Sequence, residues 1–362
     1  MKFFLFFAVF AFNLPSYANE SDYDRLVARA NSFIRMGQLQ RAIEFAATAV
    51  NSNPNRPEAF IVWGRALASQ NENQQALLKY EQARSLGSYD RELFVELSSI
   101  YDVTKNYDEA IGVYQDWLSN NPHDVELIHQ LGLTWLILKK YPEAISNLQN
   151  ALNLEPNEHN IRQNLGYALL RNREFNKADA QLEQVVKAEP KNVEALHLLA
   201  QTKAGLGQLD SALLYLNRAL EINPKYSRAL KTRARIRLLS KDAKGALNDY
   251  QLLLSIHSDD GAILLGAAGA LLALNQIKEA AVLIDKVSAT SPEHPYVRFR
   301  QTQLAIRKGD SKALTTLVKL AEKISDSDEV WQEIAWAAKK FNNKQLIKEA
   351  AEHLQPRHLK KP

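Results

Sequence analysis

Apolar and polar positions alternate along this chain with helical spacing, and the alternation itself recurs. The stretches "GQLQRAIEFAATAVNSNP" (37–54), "KNYDEAIGVYQDWLSNNP" (105–122), "KKYPEAISNLQNALNLEP" (139–156) and "GQLDSALLYLNRALEINP" (207–224) begin at multiples of 34 residues from one another. Each reads as an amphipathic helix closed by proline, which cannot continue a helix. Phasing the first repeat at Tyr23 gives eight contiguous repeats, starting at 23, 57, 91, 125, 159, 193, 227 and 261. No insertion interrupts them, and no alternating Val/Ile/Thr runs of strand type occur. A period of this length predicts an all-α array of helix pairs.

The recurrence is steric. The twentieth position is alanine in every repeat: Ala42, Ala76, Ala110, Ala144, Ala178, Ala212, Ala246 and Ala280. The eighth is always small: Ala30, Gly64, Ser98, Gly132, Gly166, Ala200, Ala234 and Ala268. Small side chains there let two helices cross closely, while larger ones such as Phe94, Tyr101 and Tyr114 fill the space around the crossing. In these features the chain resembles the tetratricopeptide repeat family, over the whole of 23–294. "AFIVWGRALASQNENQQALLKYEQA" (59–83) and "LFVELSSIYDVTKNYDEAIGVYQ" (93–115) carry the resemblance most fully. It implies a right-handed α-solenoid, with neighbouring repeats supplying each other's core.

Residues 295–354 span most of two further repeat lengths. "YVRFRQTQLAIRKGDSKALTTLVKLAEKIS" keeps the pattern, but its central Ala313 arrives one position early. It is read as a degenerate ninth repeat, followed by a capping helix pair and a frayed tail over 355–362. About ten helix-turn-helix units are therefore expected.

The chain starts differently. Met1-Lys2, the apolar run "FFLFFAVFAF" (3–12) and the small residues of "SYA" (16–18) have the layout of a secretory signal peptide, with cleavage expected after Ala18. A membrane anchor is the alternative reading, but Asn13 and Pro15 close the run well short of a bilayer's thickness. Cleavage would leave no transmembrane segment and an exported protein, periplasmic in a Gram-negative source and otherwise secreted or envelope-associated. The chain has no cysteine, which rules out disulfides, thiolate metal sites and a cysteine nucleophile.

Catalytic chemistry is not visible. The eight histidines are scattered, and His129 and His197, at the fifth positions of their repeats, are read as solvated groove residues. The glycines of "GAILLGAAGALLAL" (261–274) fall within a helical pattern rather than in a phosphate loop. No cofactor, metal or catalytic residue is expected.

By the family resemblance, positions two, five, nine and twelve of each first helix line a concave groove. Acids hold the second position in four repeats (Asp24, Glu58, Glu92, Glu126), where they are either a site or simply complement the helix dipole. His129, Gln163, Asn164, Tyr167 and Arg171 make a mixed middle groove. Further on, Arg228, Lys231 and Arg235 form a cationic wall, Leu265 and Leu272 an apolar floor, and Tyr296 and Phe299 an aromatic edge beside Arg300 and Arg307. Such a surface suits a protein segment bearing acidic and apolar side chains. Alternatively, Leu265, Leu272 and Phe299 are buried against the C-terminal cap.

Charge adds to the picture. Residues 19–200 carry 18 basic and 24 acidic side chains, a net −6, and 201–362 carry 26 and 17, a net +9; Lys2 brings the chain to +4. The asymmetry could steer an acidic partner or drive weak self-association. It is sharpest in "SRALKTRARIRLL" (227–239), which has five cations and no acid. Two of these, Arg233 and Arg237, hold core positions seven and eleven, where they need partners; Glu221, Asp249 and the ring of Tyr250 are the candidates. Lys203, at position eleven of its repeat, breaks the same rule. The leading expectation is a non-enzymatic scaffold of the cell envelope, serving pilus assembly, secretion, polysaccharide export or outer-membrane biogenesis. The alternative is a binder of an anionic polymer or surface, such as acidic glycan or lipid head groups. Nucleic acid is disfavoured by the export signal.

Overall fold

The computed structural model describes residues 22–324 and 328–354. The expected signal peptide and the expected frayed tail lie outside them. Every described element is an α-helix, and twenty helices follow one another as consecutive antiparallel pairs. None is long and apolar enough to cross a membrane. The helices gather into two compact halves, divided after Glu155.

In the N-terminal half α1 (Asp22–Arg35) pairs with α2 (Leu39–Ser52), and α3 (Glu58–Ser69) with α4 (Asn73–Ser85). Then α5 (Arg91–Val103) pairs with α6 (Tyr107–Asn120), and α7 (Val125–Ile137) with α8 (Tyr141–Leu154). In the C-terminal half the pairs are α9 (His159–Arg171) with α10 (Phe175–Ala188), α11 (Val193–Gly205) with α12 (Leu209–Ile222), and α13 (Ser227–Leu239) with α14 (Ala243–Ile256). They continue with α15 (Gly261–Ala273) and α16 (Ile277–Ser288), α17 (Pro295–Arg307) and α18 (Ala313–Lys323), and α19 (Asp328–Lys340) and α20 (Lys344–His353).

The steric pattern is what closes each pair. All eight twentieth-position alanines are fully buried. The eighth position packs against the twenty-fourth. A Cβ on Gly64 would lie 2.5 Å from the Tyr80 ring, and one on Gly166 would lie 2.6 Å from Leu182. Large residues at position twenty-four therefore sit on small ones at position eight, and neither helix can move outward without opening a void.

The turn inside each pair repeats too. Its fifteenth residue is left-handed in all nine pairs from α1–α2 to α17–α18: Gly37, Asn71, Lys105, Lys139, Arg173, Gly207, Lys241, Asn275 and Gly309. That conformation lets two backbone N–H groups return to the last turn of the first helix, as Gly37 N to Ile34 O at 2.9 Å and Gln38 N to Phe33 O at 2.9 Å. The ninth pair departs from the pattern, with Ala313 the first residue of α18 rather than the fourth. Gly309 keeps its place in the period, but a turn at Asp310–Lys312, capped by Asp310 Oδ1 on Lys312 N at 2.9 Å, lengthens the connection before α18.

Candidate functional site

The five cations of α13 fall on two sides of one helix, because residues three, four and seven apart share a face. Arg233 and Arg237, one turn apart, lean toward α14. There a single buried carboxylate serves both. Asp249, whose side chain is 4% exposed, accepts from Arg233 Nη2 at 2.6 Å and Nε at 3.0 Å, and from Arg237 Nη1 at 2.8 Å. Asn217 Oδ1 takes a further Arg233 N–H at 2.8 Å, and Gly245 O takes one from Arg237 at 3.1 Å. Of the three expected partners, Asp249 is the one used. Glu221 is exposed, and Tyr250 instead packs on α15, where a Cβ on Gly266 would lie 2.4 Å from its ring. Lys203 in α11 is resolved in the same way, by Asp179 at 2.8 Å and Glu183 at 2.7 Å. Burial lowers the pKa of its ammonium, but these two carboxylates outweigh burial and raise it.

Arg228, Lys231 and Arg235 occupy the opposite face and are all exposed. Among the described residues neither Lys231 nor Arg235 has a salt bridge or side-chain hydrogen bond. Arg228 does have a partner. Its Nη1 lies 3.2 Å from both oxygens of Glu194, the residue at the same repeat position in α11, and the Tyr226 hydroxyl donates to that carboxylate. Burial and then Glu194 push the Tyr226 phenol up to about 12. One turn along α11, His197 is 5% exposed rather than solvated, which corrects the expectation for it. Its Nε2 lies 3.0 Å from Thr232 Oγ1, its ring meets Tyr226 edge-on, and its Nδ1 is buried without a partner. Burial lowers the His197 pKa, and Arg228 adds to this against Glu194.

The expected floor and Phe299 of the expected edge are buried, as the alternative reading had it, and Tyr296 alone of the edge is exposed. Leu265 is buried with Val297, Leu272 is 1% exposed beside Leu304, and Phe299 is fully buried among α18–α20 residues such as Leu317 and Ala350. Arg300 is buried as well. Its guanidinium lies where a Gly269 Cβ would sit, donates to Leu265 O at 2.8 Å and pairs with Glu329 at 2.6 Å. Arg307 is tied to Glu333, stacks 3.5 Å from the Trp336 ring centroid and is only 11% exposed along its side chain. The reason is the composition of α15. Its glycines and alanines let α17 approach closely, and α19 then brings two acids to the arginines of α17. Of the nine residues in the expected groove, Arg228, Lys231, Arg235 and Tyr296 remain exposed.

The middle-groove residues are divided between the two halves. His129, half-buried on α7, belongs to the N-terminal half. In α9, Gln163 Oε1 accepts from Asn192 Nδ2 at 2.9 Å, Asn164 and Tyr167 are half-buried, and Arg171 is exposed. The acid row is paired: Asp24 and Glu58 with Arg56 (2.9 and 2.8 Å), Glu92 with Arg65 (2.7 Å) and Glu126 with Arg91 (2.6 Å). Glu194 and Tyr226 went unnoticed in the sequence. Glu194 could have been found there, because it stands exactly 34 residues before Arg228 with the opposite charge.

Three tetratricopeptide family models match along the chain. The tetratricopeptide domain of cytochrome c-type biogenesis protein H covers 115–230, and two general tetratricopeptide repeat models cover 27–125 (in two overlapping matches) and 237–304. The chain is a tetratricopeptide-repeat protein. Such arrays are protein-binding scaffolds and generally carry no catalytic groups. No curated protein matches this one. Solved structures with the same fold include part of a tetratricopeptide protein from Cytophaga hutchinsonii (TM-score 0.56, 17% identity, 66% of this chain and 98% of that one). Another, from Parabacteroides merdae, has a TM-score of 0.52 at 17% identity and covers 69% of this chain and 98% of its own. PilW, a type IV pilus biogenesis factor, has a TM-score of 0.53 at 21% identity, over 57% and 96% of the two chains.

Proposed function

We propose that this tetratricopeptide-repeat protein is a non-enzymatic adaptor that holds an acidic segment of a partner protein on the exposed face of α13. The observation that carries the reading is the row Arg228, Lys231 and Arg235. Among the described residues two of its three cations have no counter-charge, whereas the arginines on the other side of the helix share a buried acid. Buried cations need a counter-charge, and an unpaired exposed row leaves its field available to a ligand. The row spans seven residues of helix, about 10 Å. That matches carboxylates one turn apart on a partner helix, or on alternate residues of an extended strand.

The test is direct binding, by fluorescence anisotropy, of a labelled twelve-residue peptide in which Glu recurs every third or fourth residue among Leu and Ala. A peptide with Gln in place of Glu is the control. The purified chain should bind the Glu peptide, and the triple variant Arg228→Glu, Lys231→Glu, Arg235→Glu should not, at unchanged helicity. Equal binding of both peptides would sink the reading.

The cell envelope is the proposed setting, on the strength of the signal-peptide layout of residues 1–18. An exported protein should begin at Asn19 on N-terminal sequencing, and a protein that retains Met1 in the cytoplasm would remove the envelope from the proposal.

A further inference from the structure

We infer that Glu194 is a built-in competitor for the partner's carboxylate, held on the cationic row and displaced when the partner binds. The inference rests on the acidic-partner reading above. Among the three exposed cations of α13, only Arg228 is engaged, and what engages it is a carboxylate. That carboxylate comes from the neighbouring helix, at the repeat position equivalent to Arg228 itself. It is aimed by a second group, the Tyr226 hydroxyl at the start of α13. The arrangement has the composition of a bound ligand: one carboxylate, one guanidinium and one phenol.

The Arg228–Glu194 pair is also weakly anchored. The Arg228 side chain is 69% exposed and that of Glu194 is 35% exposed, and the two are 3.2 Å apart. An ion pair this open is worth at most about a fivefold factor in an equilibrium constant, so an incoming carboxylate can replace it at little cost. Beneath it the geometry is fixed. His197 is wedged against Tyr226 and Thr232, so displacing Glu194 need not move the helices. Contrast Asp249, which is buried between two arginines and cannot be replaced from solvent. Selectivity follows. A segment with a single carboxylate meets Lys231 or Arg235 at once, but one that reaches Arg228 as well must first outcompete Glu194. The row therefore favours segments with several regularly spaced acids over those with one.

The test uses the purified chain, the same Glu-containing peptide and the Gln control. Glu194→Gln should bind the Glu peptide about two- to fivefold more tightly than the unaltered chain, the factor corresponding to an exposed ion pair. Its affinity should also fall more steeply with added salt, because three cations rather than two then face the peptide. Tyr226→Phe, which removes the aiming hydroxyl and leaves every charge in place, should show a smaller gain in the same direction. Circular dichroism melting of both variants establishes that they are folded. Unchanged or weaker binding by Glu194→Gln, with the unaltered chain still preferring the Glu peptide, would overturn the competitor and leave the acidic-partner reading standing. If neither form prefers the Glu peptide, both fall together.

Discussion

At the second position of its repeats the N-terminal half carries Asp24, Glu58, Glu92 and Glu126, and every one of them meets an arginine from its own or an adjacent repeat. In the C-terminal half the same face carries Glu194 and then the row Arg228, Lys231 and Arg235, where one acid faces three cations. Both halves share the helix pairs, the small-residue crossings and the left-handed turns. They differ in how completely charge is matched. Exposed ion pairs add little stability, so the pairing of these four acids chiefly cancels the field along their own row. The mismatch in the C-terminal half leaves a field in place. The open charges of α13 are those for which the described helices supply no acid.

The contrast between buried and open charge predicts the largest effect. Asp249→Ala should cost about 3 kcal/mol, because it leaves Arg233 without a carboxylate and Arg237 with only Asp242 at 3.6 Å. Hydrogen exchange should show α13 and α14 losing protection while α1 to α8 keep theirs. Replacing all three residues with hydrocarbon (Arg233→Met, Arg237→Leu, Asp249→Leu) should cost far less. If the single and triple variants were equally damaged, Asp249 would not be acting as the counter-charge.

Reversing single charges sharpens the difference between the halves. Arg65 lies between Glu92 and Glu96 and also reaches Asn31 at 3.3 Å. Arg65→Glu should therefore lose about 2 kcal/mol in denaturant titration and leave peptide binding unchanged. Reversing Arg228, Lys231 and Arg235 together should do the opposite, removing peptide binding at a stability cost within about 1 kcal/mol.

A pH dependence belongs to the C-terminal half. Burial holds the His197 pKa below the ordinary 6.5 in the folded chain, so as pH falls the unfolded chain binds the extra proton first. Stability should fall as pH drops through 6.5, by at most about 1.4 kcal/mol per pH unit. His197→Phe should flatten that slope in urea titrations at pH 7 and pH 5.5. A persisting slope would assign the effect to another group.

The smallest effect should be the same in both halves. Lys139 and Lys241 hold left-handed turn positions at φ 59° and 65°, where a Cβ is crowded. Changing either to glycine should stabilise the chain by up to about 1 kcal/mol, read as a rise in melting temperature. A gain at one and a loss at the other would show that the turns are not equivalent.

Most of the fold was legible in the sequence. The period, the alanines at position twenty and the small residues at position eight are steric requirements of one helix pair, and each copy states them again. The partner of Arg233 and Arg237 was legible as well, because a cation at a core position needs a nearby acid and few were in reach. The sequence left the apolar floor open between groove and core, because the two have the same appearance on α15. Leu265 and Leu272 satisfy the groove pattern equally well whether or not α17 covers them.

The sequence by itself determined the helices, their pairing and the place of every turn, because those depend on residues within one repeat length. Only the tertiary structure decided which charges stay open. Arg300 and Arg307 are closed off because α19 brings Glu329 and Glu333 to them, while Lys231 and Arg235 stay exposed because no helix among the described residues offers them an acid. Burial of a charge is set by what packs against it, and that lies beyond the repeat in which the charge is written.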